Sequence, residues 1–207
     1  MTIALRAATA SLVTLLAIAT AWAQSPAPVA DIMRALRTGG HVIVVRHGAT
    51  HADQADTDPL NPDNVAKQRH LNERGREQAR GVGEALKTAQ VPIGKSYSSR
   101  FQRAVETARL IGRKVPQTIL DVTEGGLVVS PAENNRRAQA LRALAATVPD
   151  PGTNTLIVTH KPNIMDAFGK DWFEVREGEA SIFRPDGSGK YTLVGRVRID
   201  EWESATR

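Results

Sequence analysis

The chain has 207 residues, of which 41% are hydrophobic and 24% are charged, and this is enough apolar material for one α/β domain with its own core. Its formal charge of +5 suits an anionic ligand but is too small to indicate a nucleic-acid-binding protein. The absence of cysteine excludes a disulfide framework, a cysteine nucleophile and thiolate metal ligands.

The first 23 residues have the pattern of a secretory signal peptide. Arg6 precedes an uncharged, mostly apolar stretch over 7–21, and Ala21-Trp22-Ala23 has the small-x-small form of a cleavage site. The apolar stretch is short for a membrane span, which disfavours the alternative of a retained anchor. We expect residues 1–23 to be removed, and residues 24–207 to form one domain, periplasmic or secreted, that no longer engages the membrane.

The rest of the chain alternates helical and strand patterns. The four branched apolar residues Val42–Val45 are typical of a strand buried on both faces. A helix is expected before them over 31–37, and a polar loop follows them over 51–70. The next elements alternate helix and strand, over 71–86, 95–99, 102–111, 117–122, 132–148, 154–159 and 162–168.

A turn of the Pro-Asp-Gly type separates two further strand patterns, Ala180–Phe183 and Tyr191–Ile199, which predicts an antiparallel hairpin at the end of the chain. The order of elements predicts a single three-layer α/β domain. Its sheet is expected to be mostly parallel, with helices on both faces and this hairpin closing it.

Cations and imidazoles follow the expected strands. Arg46, His47 and Gly48 end the first strand, Arg100 follows the second, and His160 follows the strand that begins at residue 154. Ligands bind at the carboxyl edge of such sheets. Two guanidinium groups at one edge could bind a phosphate bidentately, and a neutral imidazole beside them could attack phosphorus.

Four motifs occur in order between the first strand and the second histidine. They are Arg46-His47-Gly48 with Thr50, Leu71-Asn72-Glu73-Arg74-Gly75 with Gln78-Ala79, Ser98-Ser99-Arg100 with Arg103-Ala104 and Thr107-Ala108, and Val158-Thr159-His160. With them the chain resembles the histidine phosphatase superfamily, also called phosphoglycerate-mutase-like, as a small exported member without cap insertions.

The resemblance implies a role for each residue at the strand ends. His47 would be the phosphorylated nucleophile, Arg46, Arg100 and His160 would bind the phosphate, and His160 would also take part in catalysis. Neither a metal nor another cofactor is implied. Arg103 is left out of the predicted site, because an arginine on a helix more often forms a salt bridge than binds substrate.

The general acid is a choice between two glutamates. The mutase-like branch of the family has a glutamate after the third strand, which favours Glu124, whereas Glu133 falls in the capping-box pattern that begins at Ser130. The other branch has an aspartate directly after the second histidine, where this chain has Lys161.

The loop over 51–70 departs from the mutase pattern through its aspartates. The histidines His41, His51 and His70 are expected to be surface residues, but they could join Asp53, Asp56 and Asp58 as metal ligands. Because the carboxylates do not match a calcium loop, a solvated acidic loop is the favoured interpretation.

These observations together predict a metal-independent phosphatase that hydrolyses phosphate monoesters through a phosphohistidine. Its expected substrate is a phosphorylated small molecule or an envelope component, not a nucleic acid. The alternatives are a phosphohistidine-protein phosphatase, a phosphomutase and a non-catalytic module that binds envelope phosphates.

Overall fold

The computed structural model describes residues 28–125 and 127–204. The predicted signal peptide, residues 1–23, lies outside the described residues. Within them, none of the helices combines the length and the apolar character that crossing a lipid bilayer requires.

Helices and strands alternate along the described chain as the sequence predicts. The α-helices are α1 (Val29–Arg37), α2 (Glu73–Thr88), α3 (Gln102–Gly112), α4 (Pro131–Ala146), α5 (Lys161–Phe168) and α6 (Glu201–Ser204). The strands are β1 (Val42–Arg46), β2 (Ile93–Ser98), β3 (Gln117–Thr118), β4 (Asn154–Thr159), β5 (Ala180–Pro185) and β6 (Tyr191–Val197). Short 3-10 helices lie at Val65–Lys67, Leu120–Val122 and Lys170–Trp172.

The strands form one sheet in the order β3-β2-β4-β1-β5-β6. The pairs β3–β2, β2–β4 and β4–β1 are parallel, whereas β5 runs antiparallel to β1 and forms a hairpin with β6. Arg46 of β1 lies opposite Thr159 of β4. The residues that follow these two strands therefore emerge side by side, and the predicted mostly parallel sheet with its closing hairpin is confirmed.

Each face of the sheet has its own hydrophobic core, because side chains alternate along a strand. Ile43 and Val45 pack with residues of α1, α2, α3 and α6, whereas Val42 and Val44 pack with residues of α4 and α5. These four side chains are at most 2% exposed. The prediction of a first strand buried on both faces, with helices on either side, is confirmed.

The expected third strand over 117–122 is wrong in its second half. Only Gln117–Thr118 pairs with β2, and the chain then turns into the 3-10 helix Leu120–Val122. The side chain of Thr123 donates back to the carbonyl of Ile119, and Val122 is fully buried in the core under α4. This local hydrogen bond and burial hold the segment in a turn although its composition favours a strand.

A candidate active site at the carboxyl edge of the sheet

Two histidines lie together where β1 and β4 end. His47 follows β1 and His160 follows β4, and their ring centroids are 5.1 Å apart. The backbone N–H of His47 donates to the carbonyl of Thr159, which extends the strand pairing into the site. Both side chains are buried, His47 at 2% exposure and His160 at 0%.

The protonation state of His47 follows from its hydrogen bond and its burial. Nδ1 lies 2.9 Å from the carbonyl oxygen of Gly48. Because a carbonyl only accepts, Nδ1 carries the ring hydrogen and Nε2 keeps its lone pair. Burial, reinforced by the positive charge of Arg103, lowers the pKa of His47 to about 3. Near neutral pH the ring is therefore uncharged, with Nε2 able to act as a nucleophile.

The loop that carries His47 is held between α2 and α3. The N–H of Gly48 donates to Thr107 of α3 at 3.0 Å. On the other side, a Cβ on Gly75 of α2 would lie 2.2 Å from the carbonyl oxygen of Ala49, so only glycine fits. Asn72 accepts from the N–H of Gly75, which caps α2, and donates to the carbonyl of Thr50. Three of the four sequence motifs thus meet around one turn.

His160 lies between a hydroxyl and a carboxylate. Its Nε2 is 2.7 Å from Oγ of Ser99, and its Nδ1 is 3.3 Å from Oε2 of Glu124. The second approach forms no hydrogen bond, which leaves Nδ1 without a partner in the described part of the chain. Burial, and then the charge of Arg103, lower the pKa of His160 well below its ordinary value. A neutral His160 has one ring hydrogen to share between these two neighbours.

Glu124 joins the histidines to a buried arginine. Its Oε1 accepts from Nη2 of Arg103 at 3.0 Å, while Oε2 faces His160. Burial raises the pKa of Glu124, and the charge of Arg103 only partly opposes this shift. The structure therefore places a carboxyl group with an increased tendency to hold its proton beside the histidine pair.

Glu133, the alternative acid, lies at the start of α4. Its N–H donates to Oγ of Ser130, and its carboxylate accepts from Arg136 and Arg137. Hydrogen bonds from these two arginines lower the pKa of Glu133 to about 2. This is the helix-capping role that the Ser-x-x-Glu pattern indicates.

Arg46 and Arg100, the two arginines of the predicted phosphate pocket, have different positions. Arg46 donates to the carbonyl of Val175 at 2.9 Å and lies 3.6 Å from Glu177, and its positive charge contributes to the low pKa values of both histidines. Arg100 is 36% exposed and binds Asp63 at 2.5 Å. The structure brings Arg46 to the histidines but turns Arg100 toward the loop, so a phosphate-binding role for Arg100 stays a prediction.

Arg103, which the sequence prediction omits, is the fully buried cation of the site. Its side chain is 0% exposed, bonded to Asp56 at 2.9 Å and to Glu124, and placed over the ring of Phe101. Helix phase could have indicated it, because position 103 lies in the first turn of a helix that starts at the sheet edge. Arg103 lies in this first turn and inside a recognised motif, and it faces the site. Arg100 precedes the helix and does not.

Arg69 is a second arginine that the sequence prediction missed. It lies in the loop over 51–70, where its backbone N–H donates to Asp56, and its charge also lowers the pKa values of both histidines. Across residues 28–125 and 127–204, the buried Nε atoms of Arg46, Arg69 and Arg103 have no hydrogen-bond partner. Such unused donors around a histidine pair suit an anion with several oxygen acceptors. Sequence periodicity carries no signal for Arg69, because its place depends on a long-range loop contact.

The aspartates of this loop bind protein groups. Asp56 accepts from Arg69 and Arg103, Asp58 accepts from Asn64, and Asp63 accepts from Arg100, so the loop is structured by these contacts and is more than a solvated acidic segment. No cluster of three or more histidine, aspartate or glutamate side chains suited to a metal ion occurs among the residues that the structure describes. The positive charge of the site is supplied by guanidinium groups.

Comparison with protein families gives a match over the part of the chain that carries this site. Residues 42–125 match the model of the histidine phosphatase superfamily (branch 1). The match contains the first histidine, the loop over 51–70, Arg103 and Glu124.

Curated relatives match a comparable length of the chain. The mitochondrial serine/threonine-protein phosphatase Pgam5 of Drosophila willistoni is 34% identical over 87 residues, which are 42% of this chain and 27% of the relative. The Pgam5 of Caenorhabditis briggsae is 32% identical over 76 residues, which are 37% and 23% of the two chains. The aligned region thus spans about a quarter of the length of these curated relatives.

Solved structures share the fold over most of the chain. The protein histidine phosphatase SixA, complexed with tungstate, superposes with a TM-score of 0.55 at 22% identity, covering 77% of this chain and 97% of that one. A mutant phosphoserine phosphatase from Entamoeba histolytica, in complex with phosphoserine, gives a TM-score of 0.56 at 17% identity, covering 78% and 98%. At this level of identity the likeness concerns the fold.

Proposed function

We propose that the chain is a member of the histidine phosphatase superfamily, whose branch 1 model matches residues 42–125, and that it hydrolyses phosphate monoesters through a phosphohistidine formed on His47. The observation that carries the proposal is the state of His47, a neutral ring with a free Nε2 among three guanidinium groups. A site that only binds phosphate needs the cations but not the nucleophile, which disfavours the non-catalytic module. Arg46, Arg69 and Arg103 would hold the phosphoryl oxygens and neutralise their charge.

In the first step Nε2 of His47 attacks phosphorus in line with the ester oxygen. The N–P bond forms, the P–O bond to the alcohol breaks, and the departing oxygen takes the proton of the Glu124 carboxyl group. Nδ1 of His47 keeps its hydrogen and its bond to the Gly48 carbonyl, which stabilises the positive charge that develops on the ring. His160 would contact the phosphoryl group and orient Glu124.

In the second step water replaces the alcohol. The Glu124 carboxylate removes a proton from the water, whose oxygen attacks phosphorus while the N–P bond breaks. The products are inorganic phosphate, a neutral His47 and a protonated Glu124, which restores the starting state. Transfer to a second hydroxyl instead of water would make the enzyme a mutase, and a phosphohistidine substrate would make it a phosphohistidine-protein phosphatase.

Release of inorganic phosphate tests this proposal. Residues 24–207 would be assayed on p-nitrophenyl phosphate and on phosphorylated sugars, lipids and peptides, including a phosphohistidine peptide, with His47→Ala as the control. We expect turnover that persists after prolonged EDTA treatment and disappears in His47→Ala. Loss of activity in EDTA, with recovery on adding zinc or calcium, would contradict metal independence.

A further inference from the structure

A cavity of about 360 Å³ opens beside Glu124, between the loop over 51–70 and the segment that follows Glu124. Its lining includes Glu124, which faces His160, and Arg69, whose charge lowers the pKa values of both histidines. Its lining also includes the apolar side chains of Pro59, Leu127 and Val128. A substrate whose phosphate lies at His47 and whose ester oxygen lies at Glu124 would extend its leaving group into this cavity.

Three polar side chains of the cavity already accept hydrogen bonds from the protein. Asp56 accepts from Arg69 and Arg103, Glu124 accepts from Arg103, and Oε1 of Gln54 accepts from the N–H of His70. Arg69 serves the phosphate end in the mechanism above. A leaving group with many hydroxyls would therefore find few uncommitted partners here.

Apolar side chains at and next to the cavity are exposed to solvent. Leu127 is 104% exposed and Val128 is 47% exposed, and Leu60, next to Pro59, is 71% exposed. Leu127 and Val128 line the cavity, and Leu60 is the neighbour of the lining residue Pro59. These side chains provide surface that a bound apolar group would remove from water. Leu127 follows Glu124 by three residues, and both line this cavity, so the apolar surface shares the cavity with the carboxyl group that would protonate the leaving oxygen.

We propose that this cavity binds an apolar leaving group, an alkyl or aryl body attached to the phosphate, so that the enzyme prefers hydrophobic phosphate monoesters. The inference rests on the proposed function, because it names the substrate class of the same site. The arginines would hold the phosphate through their charge. Burial of apolar surface against Pro59, Leu127 and Val128 would select the alcohol.

A series of n-alkyl phosphates from ethyl to hexyl, below micelle-forming concentrations, tests the inference, because chain length changes while the leaving-group chemistry stays nearly constant. One fully buried methylene is worth about 0.8 kcal/mol, or about fourfold. We expect kcat/KM to rise at least about tenfold from ethyl to hexyl phosphate, since burial of the chain would be partial. Leu127→Ser combined with Val128→Ser should flatten this dependence. Val115→Ser, a matched change at a residue 80% exposed elsewhere on the surface, should leave it unchanged.

Failure of the inference and failure of the proposed function give different results. Turnover of every member of the series at equal kcat/KM would overturn the apolar cavity while leaving the phosphatase intact. The opposite case is a protein that binds apolar groups in the cavity but is not a phosphatase. Calorimetric binding of methyl- and hexylphosphonate identifies this case. Tighter binding of hexylphosphonate with a more negative heat-capacity change, in a protein that releases no phosphate, would support the cavity and contradict the phosphatase.

Discussion

Burial produces two complementary effects on individual residues at the sheet edge. It lowers the pKa of His47 to about 3 and raises the pKa of Glu124, because removal from water disfavours the charged form of each. The same loss of water thus favours an imidazole that can attack and a carboxyl group that can donate a proton. The arginines beside them support the neutral imidazole and partly oppose the neutral carboxyl.

Glu124→Gln tests the assignment of the general acid. A poor leaving group needs a proton, whereas p-nitrophenolate largely does not, so this variant should slow an alkyl phosphate by about 10²-fold or more and phosphorylation by p-nitrophenyl phosphate by less. Because the active form of Glu124 is protonated and its pKa is raised, kcat for the alkyl phosphate should fall as pH rises through that pKa, and Gln should abolish this fall.

Glu133→Gln is the matched control for this experiment. It should cause a small loss of thermal stability by weakening the start of α4, with no dependence of the rate on the leaving group. A leaving-group-dependent loss in Glu133→Gln but not in Glu124→Gln would show that the acid is Glu133.

Arg69→Gln and Arg100→Gln compare the arginine that the structure adds with the arginine that the sequence predicts. Arg69 has an unused buried donor near the histidines, whereas Arg100 is bound to Asp63. Loss of one charge-assisted hydrogen bond, worth about 1.5–3 kcal/mol, should raise the inhibition constant of inorganic phosphate about tenfold or more in Arg69→Gln. Arg100→Gln should change it less. The reverse order would restore Arg100 as the phosphate ligand.

At the scale of elements, the sequence predicts buried strands best, because they consist of continuous apolar runs. β1 and β4 are recognisable because both of their faces are covered, and the two histidines follow from where those runs stop. The third strand was overestimated because Thr123 forms a local hydrogen bond that ends it. Arg103 depends on the exact start of α3, and Arg69 and Asp56 depend on how an irregular loop folds back. These positions are set by tertiary contacts, which periodicity does not report.

Gly75→Ala tests how α2 supports the His47 loop. Alanine is the better helix former by about 1 kcal/mol, so a change without tertiary contact would stabilise α2. Here the added Cβ meets the carbonyl of Ala49, and we expect a loss of about 1–3 kcal/mol in the free energy of unfolding, together with lower kcat/KM. Glu77→Ala, at an exposed position of the same helix, is the control. A Gly75→Ala protein with raised stability and full activity would refute this packing.

At the scale of the whole molecule, the buried imidazoles make stability depend on pH. The pKa values of His41, His47 and His160 are all lowered by burial, so the unfolded chain takes up protons that the folded chain does not. Stability is therefore full above the ordinary histidine pKa of about 6.5 and is lost as pH falls below it, by about 1.4 kcal/mol per pH unit for each strongly shifted histidine. The raised pKa of Glu124 favours the folded state as pH falls, but this one group opposes the effect of three histidines.

Urea unfolding between pH 7 and pH 4 measures this dependence. His160→Asn should reduce the slope of the unfolding free energy against pH by about 1.4 kcal/mol per pH unit, which corresponds to one proton fewer taken up on unfolding. Equal slopes in wild type and His160→Asn would contradict a neutral, buried His160.

The most direct test of the central claim is to trap the phosphorylated enzyme. After rapid mixing with a good substrate and a quench that avoids acid, mass spectrometry and phosphorus NMR should find phosphate on Nε2 of His47, and none in His47→Ala. Phosphate on Nε2 is expected because Nδ1 carries the hydrogen that is donated to Gly48. Phosphate on Ser98 or Ser99, or near-normal turnover by His47→Ala, would contradict a phosphohistidine mechanism at this site.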